Sequence, residues 1–202
     1  MVYKISLVSA IPESYLDTVK ESLLDATNIN RTTNFFINYS SKHIIYRPVN
    51  LNMELAEEQQ NRIRVLNDKN IIKYDIPMPG NNNTEVSIQN FNILDIALNQ
   101  SENIDPFLND LGYVKEYEYT EEGETLNVHE IKLTIKIFKI NNELMEKGGY
   151  IIEIFSLLEN FQDFDYIASI KKNLLSLKQK MNKHFPLMIM DRKLMDSRIQ
   201  DY

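Results

Sequence analysis

Residues 131–137 constrain this chain more than any other stretch. Ile131, Leu133, Ile135 and Ile137 alternate with Lys132, Thr134 and Lys136. A period of two belongs to an extended strand with one face buried. Asn141-Asn142 and Gly148-Gly149 then bracket a turn into Tyr150–Leu158, a second β run. A parallel return needs a crossover of about a dozen residues or more, so strands this close in sequence pair antiparallel.

The same alternation recurs along the chain. Tyr3, Ile5 and Leu7 alternate with Lys4 and Ser6. Residues 35–39 and 43–48 read as two short strands of a hairpin turning at Ser40-Ser41, ended by Pro48. Residues 71–76, 86–93, 114–120 and 187–190 also read as extended. Residues 53–69 read two ways: 54–60 suits a helix, whereas Arg62-Ile63-Arg64-Val65 alternates as a strand does. The proline- and asparagine-rich run 77–84 is expected to be an exposed loop.

Three helices are expected. Pro12 and Ser14-x-x-Asp17 open the first, with Leu16, Val19, Leu23 and Ala26 on one face. In the second, Asp105 caps, Pro106 takes the first helical position and Gly112 the left-handed end. The third covers about 163–183, with Ile167, Ile170, Leu174, Leu177 and Met181 forming an apolar seam before Pro186. That seam suits covering a sheet, or else recruiting a partner helix. The expected fold is α+β: one domain over 1–202, an antiparallel β-barrel of about eight strands with two or three packed helices. Closure removes exposed edges. The barrel interior is expected to be filled by apolar side chains, with Tyr117 and Tyr119 inward.

Composition narrows the function. The 43% hydrophobic fraction supports a packed core, and the absence of cysteine excludes disulfides and thiolate chemistry. Acids outnumber Lys and Arg by 29 to 22, for a net charge of −7, which disfavours a dedicated nucleic-acid binder. No apolar run reaches the roughly 18 residues of a membrane span, and no signal-peptide pattern follows Met1. An intracellular protein is expected.

Glu116 and Glu118 are the most suggestive carboxylates, two apart on one strand face. Paired acids on a barrel wall hold a divalent ion in tunnel-type triphosphatases, and Lys132 with Lys136, or Arg62 with Arg64, could face phosphates. Such enzymes place a basic residue two positions further on, where this chain has Thr120. Charge alternation on a strand more often marks its wet side, so these glutamates are expected in solvent. His43, His129 and His184 are scattered, without ligand spacing. No nucleophile elbow or phosphate-binding glycine loop occurs. The expectation is therefore no catalytic residue, no metal and no cofactor. A barrel binding single-stranded nucleic acid through exposed tyrosines is a weaker alternative.

Two segments remain: Leu111-Gly112-Tyr113-Val114-Lys115-Glu116-Tyr117-Glu118-Tyr119, and Asp191-Arg192-Lys193-Leu194-Met195-Asp196-Ser197-Arg198. Together the chain resembles Mediator complex subunit 18, a head-module component of a eukaryotic transcription coactivator. In that family a Gly-Leu-Gly-Tyr turn leads into an aromatic strand, and the tail carries Asp-Arg and Met-Asp-Ser-Arg. Here Asp110 stands where the first glycine of the turn would be. The resemblance implies a helix-packed β-barrel and a non-enzymatic nuclear scaffold that regulates RNA polymerase II transcription. It further implies pairing with subunit 20, binding of the subunit 8 C-terminal helix, contact with other head subunits and an indirect link to the polymerase. No direct nucleic-acid or membrane contact is expected. Leu187, Met188, Met190, Leu194 and Met195 are the expected partner-binding patch, since thioethers suit adaptable surfaces. Asp191, Arg192, Asp196 and Arg198 are the expected structural tail. Their ion pairs either lock the tail to the barrel or order a partner-binding edge.

Overall fold

The computed structural model describes residues 1–28, 36–49, 61–75, 85–96, 103–141, 148–159, 161–191 and 195–198. The expected loop 77–84 and the expected helix 54–60 lie outside the described residues.

Eight strands close into an antiparallel barrel: β1 (Val2–Ile11), β2 (Ile37–Pro48), β3 (Ile63–Leu66), β4 (Asn70–Tyr74), β5 (Ser87–Asp95), β6 (Tyr113–Val128), β7 (Leu133–Asn141) and β8 (Tyr150–Leu158). Around the barrel the order is β1-β5-β4-β3-β2-β6-β7-β8, and β8 closes on β1 from Tyr3↔Leu158 to Ile11↔Tyr150. Three α-helices accompany them among the described residues: α1 (Leu16–Ala26), α2 (Asp105–Asp110) and α3 (Phe164–Met181).

Most of the buried apolar residues of the strands face outward, against the helices. Ile5, Leu7, Leu133, Ile135, Ile137, Ile152 and Ile154 form one buried cluster with Val19 and Leu23 of α1 and the α3 seam. All five expected seam residues are buried there, so α3 covers the sheet. Asp163 caps α3 by accepting from the Tyr166 N–H, and Lys178 and Lys180 sit favourably in its last turn. On the other side Ile104 and Leu108, preceding and within α2, pack on Ile44, Tyr46, Ile63, Val65 and Ile71. The hydroxyl of fully buried Tyr46 donates to the Asp105 carboxylate, which ties α2 to β2.

Several expectations change. Residues 37–48 form one strand rather than a hairpin; Ser40 and Ser41 pair with Glu122 and Glu121 along the sixteen-residue β6. The tight turn lies instead between β3 and β4, where Asn67 and Asp68 adopt φ of 51° and 56° and Lys69 N–H bonds to the Leu66 carbonyl. Two successive positive φ values match the right-handed twist of flanking strands. Ile131 belongs to a short 3-10 turn, and β7 starts at Leu133, after Lys132 has taken a left-handed conformation. Ser14 does not cap α1, which follows a 3-10 turn at Glu13–Tyr15. Asp105 does not cap α2 either; its carboxylate serves Tyr46 and the Asn103 amide. Gly112 takes the expected left-handed position, with φ 81°. Residues 187–190 are not a strand; Met188 makes a single bridge to Val8.

Because the driving force lies between barrel wall and helices, trimming the α3 seam is costly. Leu174→Ala should lower unfolding free energy by about 3 kcal/mol, measured by urea denaturation. Exposed Lys172→Ala on the same helix, away from the seam, should change it by less than about 0.5 kcal/mol.

Candidate functional site

Turning apolar side chains outward leaves the alternate residues to line the lumen, a cavity of about 560 Å³. All eight strands contribute, and the charged or polar lining includes Lys4, His43, Arg64, Gln89, Glu121, Lys136 and Glu153. Tyr74, Tyr117 and Tyr119 add aromatic wall. The expected apolar filling holds only in part: Tyr117 and Tyr119 face inward, and Val8, Ile45, Ile72, Phe138, Ile140 and Ile151 add apolar wall, but charged side chains share the lumen with them. Period two separates the faces of a strand, and the greasier face went to the helices.

The lumen charges are arranged largely in pairs. Lys4 of β1 bonds Glu153 of β8. Lys136 of β7 lies 3.1 Å from Glu121 of β6, whose carboxylate also accepts from the Tyr39 hydroxyl at 2.6 Å. Burial opposes ionisation of Glu121, but the Lys136 charge and these hydrogen bonds outweigh it and hold its pKa below the ordinary carboxylate value. Burial, followed by the bond to Glu121, pushes the Tyr39 phenol up, so it stays protonated as a donor. At the wall's edge Arg62 makes a two-pronged bond to Glu116, at 2.7 and 3.1 Å. His43 stacks on Tyr119, with centroids 4.7 Å apart and planes within 2°. Burial first, then the nearby Arg64 charge, push its pKa down to about 4.

The Glu-x-Glu pair fares differently from these interior groups. Neither Glu116 nor Glu118 lines the cavity. Glu118 is half exposed and bonds Lys115 at 2.8 Å, while Glu116 is taken by Arg62. Lys132 stands over the Tyr166 ring, 4.2 Å from its centroid, and not in the lumen with Lys136. The arrangement required by the triphosphatase reading is not assembled. The carboxylates that the strands place in the lumen are Glu121 and Glu153, which the sequence pattern alone did not single out. Their signal was present: Glu121 continues the face of Tyr117 and Tyr119, and Glu153 alternates with Ile152 and Ile154. His184, near the end of α3, is within 3.2 Å of the Ser22 hydroxyl, and His129 lies in the 3-10 turn before β7.

The described stretches 187–191 and 195–198 touch successive barrel strands. Met188 exchanges backbone hydrogen bonds with Val8 of β1, at 2.8 and 2.9 Å. Met190 N–H donates to Ser87 Oγ at the start of β5, and Gln89 of β5 donates to the Met195 carbonyl. Ser197 Oγ donates to the Tyr74 carbonyl of β4, and its own carbonyl accepts from Arg62 N–H beside β3. Met190, Met195, Asp196 and Ser197 thereby line the lumen. The Arg198 guanidinium grips Asp196 at 2.6 to 3.1 Å, and Asp191 accepts at its carbonyl from Met195 N–H. Arg192 and Leu194 lie outside the described residues. The described methionines and Leu187 do not share one face: Leu187 is 2% exposed within the helix-covered core, whereas Met188 is 53% exposed.

These features define a class: a helix-clad, eight-stranded antiparallel barrel whose polar lumen is bordered by a strap of chain. Its fold matches a chain in the structure of the Schizosaccharomyces pombe Mediator head module, with TM-score 0.69 and 13% identity, covering 93% of this chain and 98% of that one. A Vibrio parahaemolyticus protein described as a candidate adenylate cyclase shares the fold at TM-score 0.54 and 14% identity, covering 99% of this chain and 95% of that one. In sequence, subunit 18 of the Mediator of RNA polymerase II transcription from Saccharomyces cerevisiae is 30% identical over 132 residues, 62% of this chain and 43% of the relative. The chain spans about half the length of the curated relatives it matches. The family model described as Med18 protein matches residues 71–198, which include both signature segments. The chain belongs to the Med18 family.

The neutral His43 sets a pH dependence. Its folded pKa of about 4 lies below the ordinary 6.5, so the unfolded chain takes up a proton that the fold refuses. Stability is full above about 6.5 and falls as pH drops toward 4, by up to about 3 kcal/mol. Glu121, also depressed, adds a loss at lower pH, beneath the ordinary carboxylate value. Urea midpoints should fall between pH 7 and 4.5, and His43→Phe should flatten that stretch while keeping the Tyr119 stack. An undiminished slope in the variant would refute this origin.

Proposed function

We propose that this chain is a non-enzymatic scaffold subunit of the Mediator head module that supports regulation of RNA polymerase II transcription in the nucleus. The observation that carries this reading is the Med18 family match across residues 71–198. The shared barrel fold is consistent with it. The chain acts as one barrel domain that docks partners by shape. It pairs with subunit 20, holds the C-terminal helix of subunit 8 and reaches other head subunits and the polymerase through them. It contacts neither nucleic acid nor membrane. Among the described residues no helix is long and apolar enough to cross a membrane.

The partner-binding patch is the strap 187–195, with Met188 as its exposed anchor over buried Leu187. Leu187 acts from beneath, fixing the course of the segment, and Met190 and Met195, at the border of the lumen, together with Leu194 of the same stretch of sequence complete the proposed set. Asp196 and Arg198 brace the end of the segment, whose Arg198 carbonyl accepts from the Arg62 guanidinium, and Asp191 and Arg192 complete the proposed structural tail. An exposed thioether seated in a partner's apolar pocket makes an effective anchor. Support for a scaffold role also comes from the position of the Glu-x-Glu pair, which lies outside the lumen and is engaged by basic side chains.

The test is co-expression with subunits 20 and 8 from the same source. The wild-type chain should co-purify with both, and Met188→Asp should reduce capture by at least about tenfold while its thermal midpoint stays within a few degrees. Undiminished capture would remove the patch. Magnesium- or manganese-dependent release of phosphate from triphosphate, abolished by Glu116→Ala, would overturn the non-enzymatic reading.

A further inference from the structure

We propose that the barrel lumen binds a small oxyanion, a carboxylate or phosphate group, on the guanidinium of Arg64. This stands independently of any role in an assembly.

The basic residues of the lumen are matched by carboxylates with one exception. Lys4, Arg62 and Lys136 are each matched by a carboxylate, from Glu153, Glu116 and Glu121 respectively. Asp196, at the rim, is held by Arg198. Arg64 is the exception. Its Nη1 donates to the Tyr74 hydroxyl at 3.2 Å, and its guanidinium lies 5.0 Å from the Tyr74 ring centroid. No ion pair joins it to a carboxylate among the described residues, and its buried Nε has no hydrogen-bond partner. Burial disfavours this guanidinium, and the one carboxylate whose field reaches it, Glu121, is already engaged by Lys136 and Tyr39, so an anion entering the cavity it lines would be favoured.

The surroundings supply further donors. His43 is 5% exposed, yet neither ring nitrogen has a hydrogen-bond partner, and the nearest carboxylate oxygen, on Glu121, is 3.7 Å from Nε2. The neutral ring carries one N–H that an oxyanion would accept. After burial, the Arg64 charge helps hold His43 neutral, so the two groups act on the same space. The cavity, about 560 Å³, admits a small ligand with room for water. Met190, Met195, Asp196 and Ser197 occupy its border, which favours a small molecule over a protein segment.

The experiment follows the His43 ring by NMR in the full chain, titrated with sodium phosphate, with sodium succinate and with sodium chloride at matched ionic strength. Saturable shifts at His43 with phosphate, succinate or both, accompanied by a rise in its pKa, support the site and identify the anion class. Shifts equal to those in chloride, or confined to surface residues around Lys115, overturn it. Arg64→Met should weaken the saturable response at least about tenfold while leaving the chloride-buffer melting temperature unchanged or higher. An equal response in that variant also overturns the proposal. Should Arg64→Met not fold, Arg64→Lys keeps the charge and loses the fork, and an unaltered affinity there counts against the site.

Discussion

The pairing of β1 with β8 is the constraint on which the molecule depends. Its ladder, from Tyr3↔Leu158 to Ile11↔Tyr150, turns an open sheet into a closed one. Closure removes the edge on which another chain could add a strand, and it forces every strand to have an inner and an outer face. The outer faces of β1, β7 and β8 carry Ile and Leu, which α1 and α3 keep from water. The outer faces of β2, β3 and β4 are dried by Ile104 and Leu108 at α2. The hydrophobic driving force therefore acts mainly across the barrel wall, with a smaller share from lumen residues such as Ile45, Ile72 and Phe138.

A lumen built from the remaining faces must hold its polar groups without the help of bulk water. It does so through neighbouring strands: Lys4 and Glu153 sit on the closing pair, and Lys136 and Glu121 on adjacent β7 and β6. Interaction in such surroundings is stronger than in water, and so is the penalty for an unmatched group. The balance explains how an acidic chain can keep a cluster of basic residues inside its sheet. It also separates this barrel's interior from Glu116 and Glu118, which lie outside the cavity lining and meet Arg62 at its edge and Lys115 beyond it.

Much of the fold was legible along the chain, because local chemistry and tertiary structure agree there. Leu133, Ile135 and Ile137 announce β7, and the spacing of Ile167, Ile170, Leu174, Leu177 and Met181 announces α3; each set is buried on one side. Gly112 was legible for a backbone reason, since its φ of 81° disfavours a side chain. The reading failed where a partner strand overrides local preference. Ser40-Ser41 resembles a turn, but β6 is long enough to pair straight through it. The strap was visible as a family signature, whereas its path over β1, β5 and β4 rests on hydrogen bonds to Val8, Ser87, Gln89 and Tyr74 that no local pattern encodes.

Alternation, short connections and the two signature segments were enough to determine strands, antiparallel pairing, a covering helix and membership of a family. They did not determine which face of each strand looks inward, because a two-residue period distinguishes two sides without assigning them. Only closure of the sheet and the docking of α1, α2 and α3 decided that Ile5 and Leu7 face the helices while Lys4 and Ser6 face the lumen. The physical reason is that burial against a helix removes more apolar surface from water than a cavity of this width could.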